Sequence, residues 1–588
     1  MCGIAGEFRF DNAPPDAQAM ARMLARLSRR GPDAEGRHTD GAIQLGHRRL
    51  AIIDLSERSK QPMVDAESGT ALVFNGTIYN YPELRAELIG RGHVFHSDGD
   101  TEVILRAYLE WGEACVERLT GMFAFAICNR DTLFLARDRL GIKPLYYSET
   151  PRSFRFASTP QALIAAGGVD TSIDPVALHH LFTLHAVVPA PRTIFNGIRK
   201  LAPGTTLTVN ARGDLVHRRY WSLRAQRPAE PRNEAEWTEA IHESLRQAVK
   251  KRIEIADVKV GVLLSGGLDS SLLVALLAEQ GVPDLMTFSV GFEDQPEERG
   301  SEFEYSDPVA EMYGTRHHKY LIPNAEVLRR LPEAVGEMSE PMFAQDAVAF
   351  YLLAEQVSKT VKVVQSGQGA DEVFAGYFWY PRMAAETEGS ALERFRKHYF
   401  DRDHEEFLEM VMPAYHGPDY TGELVAARLA EPYADDFIDQ VLRMDTTMLI
   451  TDDPVKRVDN MTMAWGLEAR VPFLDHQLVE LAAQMPPELK LASEGKHVLK
   501  QIARGLIPDA VIDRKKGYFP MPALKYVRGE FLDFMRDLLN SQVCRERGLY
   551  QRAYVDKLLD APEKHHTRIQ GSKLWHLALL EFWLQTHG

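Results

Sequence analysis

Cysteine is scarce in this chain. Its 588 residues hold four, Cys2, Cys115, Cys128 and Cys544, with no CxxC spacing. That excludes a disulfide framework and a zinc ribbon, and fits a reducing cytoplasm. Long apolar runs are also missing: no stretch approaches the ~20 residues a membrane span needs. The most apolar one, Leu574 to Leu584, is interrupted by His576 and Glu581 and reads as a packed helix. The opening MCGIAGEFRF has neither a basic n-region nor an apolar h-region, so no signal peptide is expected. Basic residues are outnumbered, with 68 Lys and Arg against 83 Asp and Glu and a net charge of −15. This argues against a general nucleic-acid binder, which would show a basic patch or stripe. Internal repeats and low-complexity tracts are absent.

What remains is a globular composition, 45% hydrophobic and 26% charged, in a chain long enough for several domains. Short apolar runs broken by Gly, Asp and Asn fill the first part; Ala51–Leu55, Ala71–Phe74, Met122–Cys128 and Thr132–Ala136 read as strands of packed sheets. Helical stretches are expected at Asp16–Arg29 and Thr101–Trp111. The polar RAQRPAEPRNEAE (Arg224–Glu236), with two prolines, reads as a linker. The boundaries are therefore set at 1–220, a linker at 221–237, and 238–588. The second domain opens with a helix whose Ile241, Leu245, Ala248, Val249 and Ile253 share a face. Then VKVGVLL (Val258–Leu264) reads as a strand buried on both sides. Further strands at Leu285–Val290 and Val361–Val364, with a helix at Leu272–Gln280, make this an α/β unit with a parallel sheet. The remainder, from about 385, is helical by pattern.

Two positions carry chemistry. Cys2 follows the initiator methionine, so removal of Met1 would place a thiol beside its own α-amine. The amine can take the thiol proton, and the thiolate is a nucleophile. The second is SGGLDSS (Ser265–Ser271), between a buried strand and a helix. Backbone N–H groups at a helix N-terminus form an anion site, and glycines admit phosphate oxygens closely. The GK[ST] ending of a Walker loop is absent, so γ-phosphate transfer is not indicated.

The surrounding motifs extend this reading. MCGIAG, RRGPD (Arg29–Asp33), GHRRLAIIDL (Gly46–Leu55), FNGTIYNY (Phe74–Tyr81), GDTEV (Gly99–Val103) and LARDRLGIKPLYY (Leu135–Tyr147) resemble, in order, the class II glutamine amidotransferase domain. The resemblance implies an N-terminal-nucleophile (Ntn) hydrolase αββα sandwich in which Cys2 attacks the glutamine amide, forms a thioester and releases ammonia. It places glutamine on Arg49, Leu50, Ile52, Asn75, Gly76 and Asp100. Of these, Arg49 would clamp the α-carboxylate and Asp100 the ammonium. Asn75 and the Gly76 N–H would form the oxyanion hole. Thr77 departs from the family, which commonly has Glu in NGEIYN.

In the second half, SGGLDSS with QSGQGADEVFAGY (Gln365–Tyr377), VDNMTMAWGLEARVPFLD (Val458–Asp475), GKHVLKQIARG (Gly495–Gly505) and RKKGYFPMP (Arg514–Pro522) resemble the asparagine synthetase domain. This family cleaves ATP between its α and β phosphates on a PP-loop (adenine nucleotide alpha hydrolase-like) parallel sheet with a helical C-terminal part. The resemblance implies ATP contacts at Leu264, Ser265, Gly266, Gly267, Asp269 and Ser270, and at Val290, Ser366 and Gly367. It gives Mg²⁺ to Asp269 and Asp371, and the neutralising of adenylate or pyrophosphate charge to Lys496. Ammonia would pass between the sites through an internal tunnel.

The acceptor carboxylate is assigned to Glu340 and Gln368 on its side of the site. Gln368 stands where asparagine synthetases carry an acid thought to handle the proton of the attacking nitrogen, and Gln cannot act as a base. Val348 falls near where one branch has Arg for the aspartate α-carboxylate. Arg155–His180, HAVVPAPRTI (His185–Ile194) and SGQGADEVFAGYFWYP (Ser366–Pro381) resemble most the N-acetylglutaminylglutamine amidotransferase branch, which amidates an acylated dipeptide to make a compatible solute. Aromatic and apolar residues at Met342, Phe343, Phe350, Phe378, Trp379 and Tyr380 would suit such an acceptor, or equally form core, since Trp and Phe usually bury. Aspartate, giving asparagine, is the rival. Glutamine, ATP and the acceptor are thus the expected partners, with no nucleic acid and no membrane; a homodimer is compatible with the chain.

Overall fold

The computed structural model describes residues 2–11, 13–297, 299–514 and 521–588. Most of the RKKGYFPMP motif, residues 515–520, lies outside them.

The N-terminal half holds two six-stranded antiparallel sheets. Gly3–Arg9 lies inside the first, between Ile43–Arg49 and Ser153–Ala157. Ala71–Ile78 lies inside the second, beside Gly121–Asn129. Alternation along this strand decides what each side chain packs on. Ala71 and Val73 join Ile4, Phe8 and Leu45 of the first sheet in a core between the sheets. Leu72 and Phe74 point the other way, onto Leu84 and Ile104 of the helices Tyr81–Gly90 and Asp100–Trp111. On the far side the helix Ala17–Arg26, capped by Asp16, covers the first sheet with Met20 and Leu24. The order is helix, sheet, sheet, helix, as the Ntn-hydrolase resemblance implied.

The C-terminal half is built on a five-stranded parallel sheet. Its strands run Arg316–Ile322, Met286–Phe292, Val260–Leu263, Val363–Gln365, Glu468–Arg470. The central strand Val260–Leu263 is the first in sequence, so the strand order reverses on either side of it. Ligands in open α/β sheets bind outside the carboxyl ends at such a switch point. The loop Ser265–Gly267 leaves this strand's carboxyl end, and the loop after Val363–Gln365 leaves its neighbour's. Helices dominate beyond residue 370, ending in Lys573–His587, which buries Trp575, His576, Glu581 and Trp583. No described helix is long and apolar enough to cross a membrane.

Several expectations are corrected. Ala51–Leu55 is not a strand. Its backbone is taken by side chains instead: the Ala51 N–H donates to Asp33, the Asp54 N–H to Asp257, and the Asp54 carbonyl accepts from Arg49. Two strands of the parallel sheet are not expected from the sequence, Arg316–Ile322 and Glu468–Arg470. The first is a sheet edge with a mostly polar sequence, and the second has only three residues, two of them charged. The helix expected at Leu272 begins at Leu268, which shortens the preceding loop. Glu234–Glu254 is helical from within the linker, because Asn233 and Glu236 close a capping box. That helix buries Ile241, Leu245, Ala248 and Val249 as its pattern implied, with Trp237 and Arg252 besides. The linker residues before it are strapped down: Ala225 bridges Ala434, and the Arg227 N–H donates to Asp435 at 2.7 Å.

Candidate active site

Cys2 is buried at the head of its strand, 7% exposed. Its backbone nitrogen donates to Asn75 Oδ1 at 3.0 Å. Burial pushes the thiol pKa up, while the Leu50 N–H and the Arg49 guanidinium pull the other way. Asn75 is fully buried, and its Nδ2 has no hydrogen-bond partner. A buried amide donor left open normally costs about 1–3 kcal/mol; here it belongs to the side chain whose Oδ1 accepts from the Cys2 nitrogen. Gly76 has no room for a side chain, since a Cβ there would stand 2.1 Å from the Met122 carbonyl oxygen.

Arg49, Leu50 and Ile52 are buried beside Cys2, where the sheet ends and the irregular segment begins. Two guanidinium nitrogens of Arg49 donate to the carbonyls of Ser56 and Asp54, which fixes the fork's direction. Asp100 is the first residue of its helix and accepts from the Ile78 N–H at 3.0 Å. Burial pushes its pKa up to about 6. The structure therefore gathers every residue that the sequence proposed for glutamine at one end of the sandwich.

The second constellation lies at the switch point. Gly267 caps the helix Leu268–Glu279 without any side-chain hydrogen bond. Its first N–H groups are thus available to an anion. Gly266 has φ +76°, and a Cβ on it would stand 2.8 Å from the Ser306 nitrogen. Ser265 and Ser270 hydroxyls meet at 3.0 Å and brace the turn. Leu264, just past the central strand, and Val290, on the strand beside it, are buried. A Cβ on Gly367 would lie 3.0 Å from that of Asp269, so the Ser366–Gly367 loop closes directly onto Ser265–Ser270. Gln368 is half-buried in that same loop.

Lys496 comes from far along the chain. Its Nζ lies 2.6 Å from Asp269 Oδ2 and 2.6 Å from Asp371 Oδ1. Burial alone would lower its pKa, but the two carboxylates outweigh that and hold the ammonium protonated. The approach depends on Gly376, where a Cβ would stand 2.1 Å from Lys496 Cε and 2.2 Å from Asp371 Oδ1. Two carboxylates converging beside an open helix N-terminus are the donor chemistry that suits Mg²⁺ with bound phosphates.

On the acceptor side, Glu340 is buried, with Oε2 engaged and Oε1 without a hydrogen-bond partner. It is 1% exposed, with Lys200 Nζ at 3.0 Å and the Tyr146 hydroxyl at 3.2 Å. Both partners belong to the N-terminal half, so Glu340 forms part of the wall between the halves. Most of the aromatics prove to be core. Phe343 stacks on His576 with ring centroids 4.2 Å apart, and Trp379 stacks on Tyr377. Met342, Phe350 and Tyr380 are buried as well, leaving Phe378 half-exposed. Val348 is fully buried too.

Sequence reasoning missed the groups that join the two halves. Arg30 Nη1 meets Asp459 Oδ2 at 2.9 Å, and Lys143 Nζ meets Asp459 Oδ1 at 3.2 Å. Arg30 also donates to the Cys2 carbonyl. Asp459 falls inside a motif already noted, but nothing in one sequence says which partner it meets.

Residues 240–585 match the family model described as asparagine synthase, and residues 1–221 match the glutamine amidotransferase domain. The chain belongs to the asparagine synthase family. Asparagine synthetase [glutamine-hydrolyzing] 1 of Bacillus subtilis is 32% identical, over 99% of this chain and 96% of its own length. A putative asparagine synthetase of Mycobacterium bovis is 33% identical over 96% and 93%. Asparagine synthetase B of Escherichia coli is 28% identical over 88% and 82%. As a family member, the chain is an ATP-dependent, glutamine-dependent amidotransferase ligase.

Proposed function

We propose that Cys2, freed by removal of Met1, attacks the side-chain amide of glutamine, and that the ammonia released amidates a carboxylate adenylated at the switch point. The unpartnered Asn75 Nδ2 beside the nucleophile is the observation that carries the first step. An oxyanion hole needs donors kept open for charge that develops only in the transition state. Asn75 Nδ2 and the Gly76 N–H supply them. Arg49 takes the substrate α-carboxylate, Leu50 and Ile52 wall the pocket, and Asp100 takes the ammonium. The amine of processed Cys2 accepts the thiol proton.

At the second site a carboxylate must be activated, because ammonia does not displace hydroxide from a free acid. The Ser265–Gly267 turn and the Leu268–Glu279 helix hold the phosphates, with Asp269, Ser270, Ser366 and Gly367 around them and Leu264 and Val290 beneath. Asp269 and Asp371 would hold Mg²⁺, which when bound neutralises charge on the pyrophosphate leaving group. Lys496 balances charge on the adenylate. Buried side chains separate the sites, and a shielded route keeps ammonia unprotonated and nucleophilic.

For the acceptor we favour N-acetylglutaminylglutamine or a similar acylated dipeptide. The support is the neutral Gln368 in place of an acid, together with the resemblance across Ser366–Pro381. Aspartate remains the alternative, being the acceptor of the asparagine synthetases. Purified enzyme offered each compound separately, with pyrophosphate release as readout, decides between them: turnover with aspartate alone overturns the dipeptide reading. Cys2→Ala should abolish glutaminase activity and keep ammonia-driven synthesis.

A further inference from the structure

Away from both sites, three helices meet where the two halves of the chain touch. Pro175–Thr183 comes from the N-terminal half; His404–Met410 and Tyr420–Leu429 come from the C-terminal helical region. We propose that His179, His404 and Asp419, one at each of these elements, form a zinc-binding site that staples the halves together.

His179 Nε2 lies 3.0 Å from His404 Nδ1 and 3.9 Å from Asp419 Oδ1. One ligand atom from each residue falls within 4.8 Å of the others. Donors on a tetrahedral zinc ion with bonds of about 2.0–2.1 Å stand roughly 3.3 Å apart. Two of the observed spacings straddle that value and the third lies within 4.8 Å, so side-chain shifts of up to about 1.5 Å close the set. Two imidazoles and one carboxylate, with water in the fourth position, are a zinc donor set rather than a magnesium one.

The surroundings hold the ligands as metal sites do. Thr421 Oγ1 is 2.6 Å from His179 Nδ1 and 3.0 Å from His180 Nδ1. A hydroxyl has one proton to give. When it donates to His180 it must receive the N–H of His179, which leaves the Nε2 lone pair of His179 facing the other two ligands. An imidazole whose second nitrogen is so engaged is oriented for a metal. Phe407 packs on the His179 ring at 4.5 Å and Tyr420 meets it edge-on. Burial lowers the His179 pKa to about 4, so the ring is neutral at pH 7. Asp419 is itself fixed by the Gly422 N–H on Oδ1 and by Arg396 on Oδ2. His404 and Asp419 are half-exposed, so an ion can enter from solvent. The neighbouring Arg396 opposes a dication, which sets the affinity below that of four-ligand structural sites.

The test uses full-length protein carrying Cys2→Ala, so that the nucleophile's thiol cannot compete for the metal. After stripping with EDTA it is titrated with Zn²⁺ against a chromophoric chelator. The expected result is one ion per chain, bound at least about tenfold more weakly in His404→Gln and in Asp419→Asn. Asn still caps the helix, so the second variant keeps the fold should the first lose it. Zinc should also raise the thermal unfolding midpoint of the parent and leave both variants unmoved. No binding by the parent, or equal binding by parent and variants, overturns the proposal.

Discussion

Thr77 Oγ1 lies 3.2 Å from Glu468 Oε1, a hydrogen bond from the strand of the N-terminal sandwich that carries Asn75 and Gly76 to the edge strand of the C-terminal sheet. Glu468 also accepts from Arg470 Nε at 2.6 Å, and the Arg470 carbonyl accepts from the Ser366 N–H at 2.9 Å. Three contacts thus connect the proposed oxyanion strand to the proposed nucleotide loop. Thr77 is also where this chain departs from its family's Glu, and its neutral hydroxyl leaves Glu468 paired with Arg470.

Both Glu468 and Arg470 are fully buried. Glu468→Ala leaves the guanidinium uncompensated, a change that typically costs about 3–5 kcal/mol. Thr77→Val removes one hydrogen bond from the carboxylate, worth about 1 kcal/mol. Thermal unfolding should show a large fall in midpoint for the first and a small one for the second. Equal midpoints for the two variants would contradict this ranking.

Asn75→Ala should lower kcat for glutamine hydrolysis by roughly 10²–10³. Synthesis driven by added ammonium salts should survive, because the nucleotide site is elsewhere. Steady-state glutaminase and pyrophosphate assays on the same preparation separate the two effects; a parallel loss of both would mean Asn75 acts through folding.

The raised pKa of Asp100 predicts a pH effect on glutamine affinity. Its carboxyl titrates near 6 because it is buried. Above that pH it is charged and can hold the substrate ammonium; below it the neutral acid cannot. KM for glutamine should therefore climb as pH falls through about 6, and Asp100→Asn should flatten that rise. A profile unchanged in the variant would assign the effect to another group.

At the proposed nucleotide site, Gly376→Ala should be as damaging as a change to Lys496 itself. The added methyl would stand 2.1 Å from Lys496 Cε, which displaces the ammonium from Asp269 and Asp371. Pyrophosphate release should drop by roughly 10²–10³ in both Gly376→Ala and Lys496→Ala. Glutaminase activity is the internal control and should persist.

Much of this was legible in the chain. Short apolar runs such as Ala71–Phe74, broken by turn residues, and the unbroken apolar run before Ser265 pointed to the two kinds of sheet. Cys2, the SGGLDSS turn and the motifs around them pointed to both proposed sites, since nucleophile chemistry and phosphate cradles tolerate few residue types. The irregular Ala51–Leu55 was misread because an apolar run does not reveal that its N–H groups will be taken by Asp33 and Asp257.

The tertiary structure alone decided which charges meet. Glu340, expected on the acceptor side, shares Lys200 with Asp452 across the domain wall, a pairing no local pattern shows. Phe343 and Trp379 were offered to a substrate and are spent on His576 and Tyr377. Local pattern determines whether a side chain is buried. Which distant partner it is buried against depends on how complete sheets and helices stack, and that information is spread over the whole chain.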